Sequence, residues 1–486
     1  MQRLRKTAGD VVVVGAGVAG CSAFYHLAKL NRGNPAFKPI LVDALPPLSL
    51  TSANGSFSYR NWFPSDAEAP MRELVVRSID QLDEISKQTD NMIELNRNGY
   101  LFVTREPAKI QEFLSMGKKL ESNGGGTIRV HEPNDLKGYR YNSAKIQYDL
   151  DGCDLLLGID NIRNVFPALQ DSNAIAALHV RRCGSMNPFK LGNYELTKAT
   201  EYCPYAQIMR GKVSDIFGIG GRVTGLKIES DNGDVHHVST PNVVLATGPL
   251  YEESIKLLRE RDLSSFDIPI LNELHARAVF DDPHGTVSAI SPLTFDTDPM
   301  GKLDFTPEER KQLLQKPDAS RMLEEFPGGV HVRPYTNSKM MAVWTYDTDP
   351  VPPKYPVEEV LDQNYPEICL RGLTRLFPQL KPYLSDPQVR SSFKVNGGYY
   401  CKTLDNMPLI GPAPNTIQGV FLQSAMSGIG LMSSGASGEL LASHVMGIKP
   451  THPKLAQHAS AFLPERFLDK KYVESLGEGR SCMGQV

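Results

Sequence analysis

The stretch V-V-V-V-G-A-G-V-A-G at residues 11–20, answered by P-I-L-V-D at residues 39–43, decides the fold of this chain. Four consecutive β-branched residues read as a strand buried on both faces. The strand runs directly into Gly15, Gly17 and Gly20, and Cys21 to Leu30 have helical spacing. Ile40 to Val42 then restart a strand that ends at Asp43. Strand, glycine turn, helix, strand and acid in this order form a dinucleotide-binding unit. Gly15 makes the tight turn, Gly17 lets backbone approach a pyrophosphate, and Gly20 lets helix lie close on strand. Unpaired N–H groups and the helix dipole then favour the pyrophosphate at the helix N-terminus. Asp43 lies about 20 residues further on, where a carboxylate can accept from a ribose hydroxyl.

The composition narrows the class. A chain of 486 residues can bury a large core and divide into two domains. Its net charge of -3 gives no reason to expect nucleic acid or an acidic membrane as partner. No apolar run reaches the roughly 18 residues that would span a bilayer, so no membrane partner is expected. The N-terminal M-Q-R-L-R-K is basic without an apolar core, which is not the pattern of a secretory signal. Seven scattered cysteines (21, 153, 183, 203, 369, 401 and 482) show neither C-x-x-C nor metal-ligand spacing. They read as reduced thiols in a cytoplasmic protein with no metal site.

Further along, residues 44–64 lack periodicity, and Met71, Leu74, Val75, Ile79, Leu82 and Ile85 mark an amphipathic helix. Gly99–Val103 reads as a strand, residues 105–160 and 256–330 as mixed and polar. Val213–Phe217, Val223–Ile228 and Val235–Val238 form a meander with a turn at D-N-G-D, residues 231–234. An apolar strand at 242–246 ends in Thr247-Gly248, and His331–Pro334 with Met340–Tyr346 reads as an antiparallel pair. A final helix is expected over about 436–446.

Four blocks, in order, resemble the D-amino-acid oxidase superfamily of FAD enzymes, and its sarcosine oxidase branch most. They are the N-terminal unit with Asp43, the V-S-D-I … A-T-G-P segment at 213–249, H-V-R-P with its strand at 331–346, and G-G-Y-Y-C-K-T-L-D-N-M-P-L-I-G-P at 397–412 followed by S-G-I-G at 427–430. The resemblance implies an α/β fold, with a discontinuous Rossmann-type FAD-binding domain plus an antiparallel-sheet substrate domain. The FAD domain is expected over 1–95, 178–255 and 395–455, the substrate domain over 96–177 and 256–394, and a C-terminal arm over 456–486.

The cofactor residues it implies are Gly15, Ala16, Gly17, Val18, Ala19, Gly20, Asp43 and Ala44. Ser52, Ala53, Asn54 and Gly55 follow in the loop that covers the flavin, then Val213 at the adenine edge. Ala246, Thr247 and Gly248 close the sheet over the cofactor, and Ser427, Gly428, Ile429 and Gly430 open a helix toward the flavin pyrimidine ring. Arg60, Arg333 and Tyr400 are the catalytic candidates, with packing or surface ion pairing as the competing reading of each.

The departures from the family pattern carry equal weight. Gly398 stands where sarcosine oxidases tether FAD through cysteine, Cys401 lies three residues later, and no histidine occurs between His26 and His131. FAD is therefore expected to bind non-covalently. The family's oxygen-activating lysine is replaced by Met341, Ala342 or Val343, with Lys339 nearby, and its carboxylate-clamping lysine by Met432. A hydroxylase-like D-G motif is suggested by 153–161, but Asn161 replaces its glycine and the companion block is missing.

The function expected is FAD-dependent oxidation of a C–N bond in a secondary amine or amino-acid-like small molecule, with oxygen or another electron acceptor as partner. The alternatives are an FAD-dependent 2-hydroxy acid dehydrogenase and a flavin-holding assembly factor.

Overall fold

The computed structural model describes residues 4–336 and 338–477. Cys482 and the C-terminal S-C-M-G-Q-V lie outside the described residues. Val11–Val14 is fully embedded in a six-stranded sheet, in the order Gln207–Arg210, Pro39–Asp43, Val11–Val14, Val243–Leu245, Val420–Ser424, Leu409–Pro412. Every neighbouring pair is parallel except the last. A parallel sheet needs crossovers on its faces, which is why its central strands Val11–Val14 and Val243–Leu245 are apolar throughout. Helix Val18–Leu30 supplies the first crossover and packs against helices Pro188–Tyr202 and Gly430–Val445. Helix Gly430–Val445 thus starts earlier than the expected 436, because S-G-I-G turns straight into it. A small four-stranded sheet holds the meander, with Gly233 at φ +82° in its turn. Its fourth strand, Leu4–Ala8, pairs in parallel with Val235–Ser239.

The second large sheet has nine strands. At one end Lys394–Lys402 pairs antiparallel with Leu271–Asp281, which continues through Lys339–Val343 and His331–Pro334 to Leu293–Asp296. Tyr100–Thr104, Ala176–Val180, Cys153–Leu157 and Ile128–His131 complete it. The sheet is mixed rather than antiparallel throughout, since Leu293–Asp296 lies parallel to Tyr100–Thr104, and Ile128–His131 parallel to Cys153–Leu157. Lys394–Lys402 and Ala176–Val180 belong to this sheet, so the segments assigned to the FAD domain from 395 and from 178 begin with strands of the other sheet.

The 11-residue strand Leu271–Asp281 is hidden in a region that reads as mixed and polar. Its sequence, L-N-E-L-H-A-R-A-V-F-D, carries Glu273 and Arg277 at buried positions, and only partners from distant segments make that burial affordable. Helix Pro107–Ser122 is hidden for a different reason: just Phe113, Gly117 and Leu120 of its residues are buried. Among the described residues no helix is long and apolar enough to cross a membrane.

Candidate active site

A cleft of about 700 Å³ opens along the C-terminal ends of the parallel strands and reaches the nine-stranded sheet at Tyr400. Backbone builds its nucleotide end. Gly15 has φ +100°, and a Cβ there would overlap the Ala246 carbonyl oxygen. A Cβ at Gly20 would overlap the Gly15 carbonyl oxygen, so Gly20 serves helix–turn contact and lies behind the cleft wall. Gly17 caps helix Val18–Leu30 without a side-chain bond, and the Val18 N–H donates to Ser52 Oγ at 3.1 Å. The Asp43 carboxylate accepts from the Ala16 N–H at 2.6 Å and the Leu45 N–H at 2.7 Å, which fixes it at the strand end facing the cleft.

Val18, Ala19, Ala44, Ser52, Gly55, Val213, Ala246, Thr247 and Gly248 also line the cleft, while Ala53 and Asn54 do not. Ser427, Gly428, Ile429 and Gly430 line the opposite wall. Ser427 has φ 51° and Gly428 φ 72°, and the Ser427 N–H donates to the Cys401 carbonyl at 2.9 Å. The 16-residue helix Gly430–Val445 begins there with no side-chain cap. Two uncapped helix N-termini therefore open into one elongated cleft. Beyond the Val18 N–H, which Ser52 engages, the first-turn N–H groups of both suit an anionic or electron-rich ligand. A dinucleotide whose pyrophosphate meets Gly17–Ala19 and whose flavin meets Gly430 fits this arrangement.

Side chains from distant segments build the inner end. Tyr400 lines the cleft, and the His275 ring stacks on it at 3.8 Å and 15°. Glu273 Oε2 lies 3.1 Å from His275 Nε2 and accepts from Lys402 Nζ at 2.5 Å, with Glu273 and Lys402 both 2 % exposed. Burial raises the Tyr400 phenol above its ordinary pKa, Arg60 pulls it back, and Glu273 adds to the rise. Tyr399 also lines the cleft, but its hydroxyl is bound to the Lys354 backbone.

Arg60 lies outside the cleft wall. It sits buried on strand Ser58–Arg60, paired with Cys183–Ser185, with its guanidinium 5.3 Å from the Phe63 ring centroid. Its field nevertheless reaches Tyr400 and His331, the latter driven down to about 4 first by burial. Arg333 is likewise outside the wall. It donates to the Ser56 carbonyl from Nε at 3.0 Å and Nη2 at 2.8 Å. Arg277, absent from the sequence-derived candidates, donates to the Gly55 carbonyl at 2.6 Å and the Ala53 carbonyl at 3.1 Å. Burial brings the Arg333 pKa down to about 10, and the neighbouring Arg277 charge adds to this. The two guanidiniums thus clamp the loop 53–56 from behind.

The period-two spacing of Glu273, His275 and Arg277 was the available signal for this row, since alternate strand residues share a face. The remaining candidates sort as follows. A Cβ at Gly398 would lie 3.0 Å from Thr51 Cα, so any side chain there, a cysteine included, would crowd Thr51. Cys401 lines the cleft, its thiol pushed by burial up to about 12. Met432 lines the cleft, Met341 is buried with Phe57 and Val279, and Lys339 is committed to Asp281. The 153–161 segment is a sheet strand and short helix away from the cleft, with Asp154 paired to Arg129 and Arg181. Asp405, in the D-N-M-P block, accepts from Arg466 Nε at 2.6 Å and the Tyr472 hydroxyl at 2.7 Å, so the C-terminal arm ties down this turn.

Comparison with known proteins agrees with this fold. The profile of the DAO family, described as FAD dependent oxidoreductase, matches residues 10–444. A search of curated protein sequences gave no match. Among solved structures, L-proline dehydrogenase from P. horikoshii superposes with a TM-score of 0.66 at 18 % identity, covering 95 % of this chain and 98 % of that one. Glycine oxidase from Bacillus cereus ATCC 14579 gives 0.60 at 16 %, covering 90 % and 95 %. Iminodiacetate oxidase from Chelativorans sp. BNC1 gives 0.63 at 17 %, covering 91 % and 97 %. The matched span takes in both sheets and the whole cleft, and the chain belongs to the DAO family of FAD-dependent oxidoreductases.

Proposed function

We propose that this enzyme oxidises a C–N bond in a secondary amine or amino-acid-like small molecule, with FAD held non-covalently in the cleft. The observation that carries the reading is the buried pair Arg277 and Arg333. Neither takes part in an ion pair among the described residues, and both stand behind the loop that bounds the inner cleft. The carboxylates that line the cleft, Asp43, Glu253 and Glu260, belong to its nucleotide strand end and to the chain after Gly248. The inner end therefore has a positive field in a dry setting, which suits a substrate carboxylate. The solved relatives named for L-proline, glycine and iminodiacetate act on amines that carry one.

FAD, when bound, supplies the hydride acceptor. The chain contributes binding, orientation and exclusion of water. Tyr400, kept protonated by its raised pKa, keeps an O–H to donate, and the His275 ring stacked on it holds its plane. Glu273, the cross-strand neighbour of Tyr400, is engaged by Lys402 and does not line the cleft, which supports a substrate amine that binds neutral. No lysine stands on the Lys339–Val343 strand nearer than Lys339 itself, which supports slow use of oxygen and another electron acceptor. The six described cysteines are free and buried, in keeping with a reducing compartment such as the cytoplasm.

Anaerobic mixing of the holoenzyme with N-methyl amino acids, imino acids and 2-hydroxy acids tests the reading. Flavin bleaching by a carboxylated amine is expected. Bleaching by hydroxy acids alone would replace it with CH–OH oxidation. No bleaching together with stable capture of a partner subunit would favour the flavin-holding role. Acid precipitation should release the flavin into the supernatant, and colour left in the pellet would contradict non-covalent binding.

A further inference from the structure

A second cavity, of about 200 Å³, lies among helices Val18–Leu30, Ala69–Gln88 and Pro188–Tyr202 and the first turns of Gly430–Val445. Nothing in the proposed reaction uses it. Its interior polar groups include two acceptors, Glu195 and Gln81, beside Ser78 and His26. Glu195 is 3 % exposed, has the Ser22 hydroxyl as its hydrogen-bond neighbour, and takes part in no ion pair among the described residues. Gln81 donates from Nε2 to Glu439 at 2.5 Å, while its buried Oε1 has no partner. Tyr25 forms an aromatic wall with Tyr194 and Tyr202, at ring-centroid distances of 6.2 and 6.1 Å. A buried carboxyl outside any ion pair among the described residues, an amide oxygen without a partner and a cluster of three tyrosine rings suit an N–H-bearing cation that takes the place of the carboxyl proton.

We propose that this cavity binds a small alkylammonium ion, at a site separate from the flavin cleft, with Glu195 as its counter-ion. The cation's N–H groups are shared between the Glu195 carboxylate and Gln81 Oε1, and its alkyl groups lie against the tyrosine rings. Leu431 belongs to the walls of both cavities, so an occupant here touches the helix that opens the flavin cleft.

The groups facing the cavity set its pH dependence. Helix Val18–Leu30 contributes Tyr25, His26 and Lys29, with Cys21 close to Glu195, and Arg32 follows at its end. Helix Ala69–Gln88 contributes Glu84, helix Pro188–Tyr202 contributes Tyr194 and Tyr202, and the wall from Leu431 to Gly435 has no titratable group. His26 is driven by burial down to about 3 and stays neutral. Lys29 Nζ lies 5.4 Å from the Tyr25 ring centroid and forms no ion pair with Glu195. Burial pushes the Glu195 carboxyl of the empty cavity up to about 8. A cation that pairs with the carboxylate therefore displaces a proton below that pH. Affinity should rise as pH rises toward 8 and level off above it.

Calorimetric titration of the oxidised holoenzyme with dimethylammonium chloride, under nitrogen and against a sodium chloride blank, tests the site. Binding with proton release at pH 7 and no flavin bleaching is expected, and tetramethylammonium, which lacks N–H, should bind more weakly. Glu195→Gln should weaken dimethylammonium at least about tenfold, as expected for loss of a buried charge partner. Tyr202→Leu, at a half-buried rim position, should weaken it about threefold through loss of one π face. Absence of binding, equal affinity in Glu195→Gln, or equal affinity in Tyr202→Leu should the first variant not fold, would overturn the proposal. So would displacement of dimethylammonium by a substrate that bleaches the flavin, since that places it in the cleft. The bleaching result itself is read independently, so failure here leaves the proposed reaction untouched.

Discussion

The two ends of the flavin cleft are built by opposite means. At the nucleotide end the working groups are backbone atoms, freed by small residues and fixed by hydrogen bonds near in sequence, as with Asp43 and Ala16. At the inner end they are side chains, each held by a partner far along the chain. Glu273 meets Lys402, and Arg277 meets the carbonyls of Ala53 and Gly55. The first kind of site tolerates no added atoms, and the second tolerates no lost partners.

The largest expected effect tests the first half of that contrast. Gly20→Ala places a Cβ against the Gly15 carbonyl oxygen, with backbone on both sides of the clash. A destabilisation of about 3 kcal/mol and loss of bound flavin are expected, read from the thermal midpoint and the ratio of visible to ultraviolet absorbance. A yellow protein of wild-type stability would show that the turn can relax. Of similar size is Lys402→Met, which leaves Glu273 buried without its cation and should cost about 3 kcal/mol in a urea melt. Here the nucleotide end should survive, so flavin content should fall far less than for Gly20→Ala.

Asp43→Asn keeps shape and loses charge. It should weaken FAD about tenfold, through roughly 1.5–3 kcal/mol of charge-assisted hydrogen bonding, measured by flavin fluorescence on titrating the apoprotein. Unchanged affinity would reduce Asp43 to a brace for the Gly15–Gly17 turn. The smallest effect is expected for Arg60→Lys. Arg60 acts on Tyr400 through its field, so lysine should retain most of the anaerobic reduction rate while Arg60→Ala slows it by about tenfold. Equal loss in both variants would mean that the planar guanidinium itself is needed.

The same contrast explains what could be read from the sequence. The glycine turn, Asp43, Val213, the Ala246–Gly248 corner and the S-G-I-G helix start are local patterns, and the cleft brings them together. The Leu271–Asp281 strand was illegible because its charged residues are buried by partners more than 100 positions away. Arg333 was visible as a residue but not as a loop clamp, since its acceptor is the backbone of Ser56. Tyr399 and Tyr400 are adjacent and both line the cleft, yet the Tyr399 hydroxyl is bound to the Lys354 backbone while the Tyr400 ring stacks on His275.

The order of strands in the six-stranded sheet has a consequence for synthesis. A ribosome delivers Val11–Val14, Pro39–Asp43, Gln207–Arg210 and Val243–Leu245 early, but the neighbour that covers the last of these is Val420–Ser424. While the intervening chain is being made, the Val243–Leu245 edge is an unpaired apolar strand, the kind of surface that recruits chaperones or pairs with another nascent chain. The helix that opens the flavin wall, Gly430–Val445, emerges later still, and the Arg466 and Tyr472 bonds to Asp405 are among the last to form. Cofactor capture is thus a late event in the life of the nascent polypeptide, and truncations that spare every glycine of the turn should still fail to retain FAD.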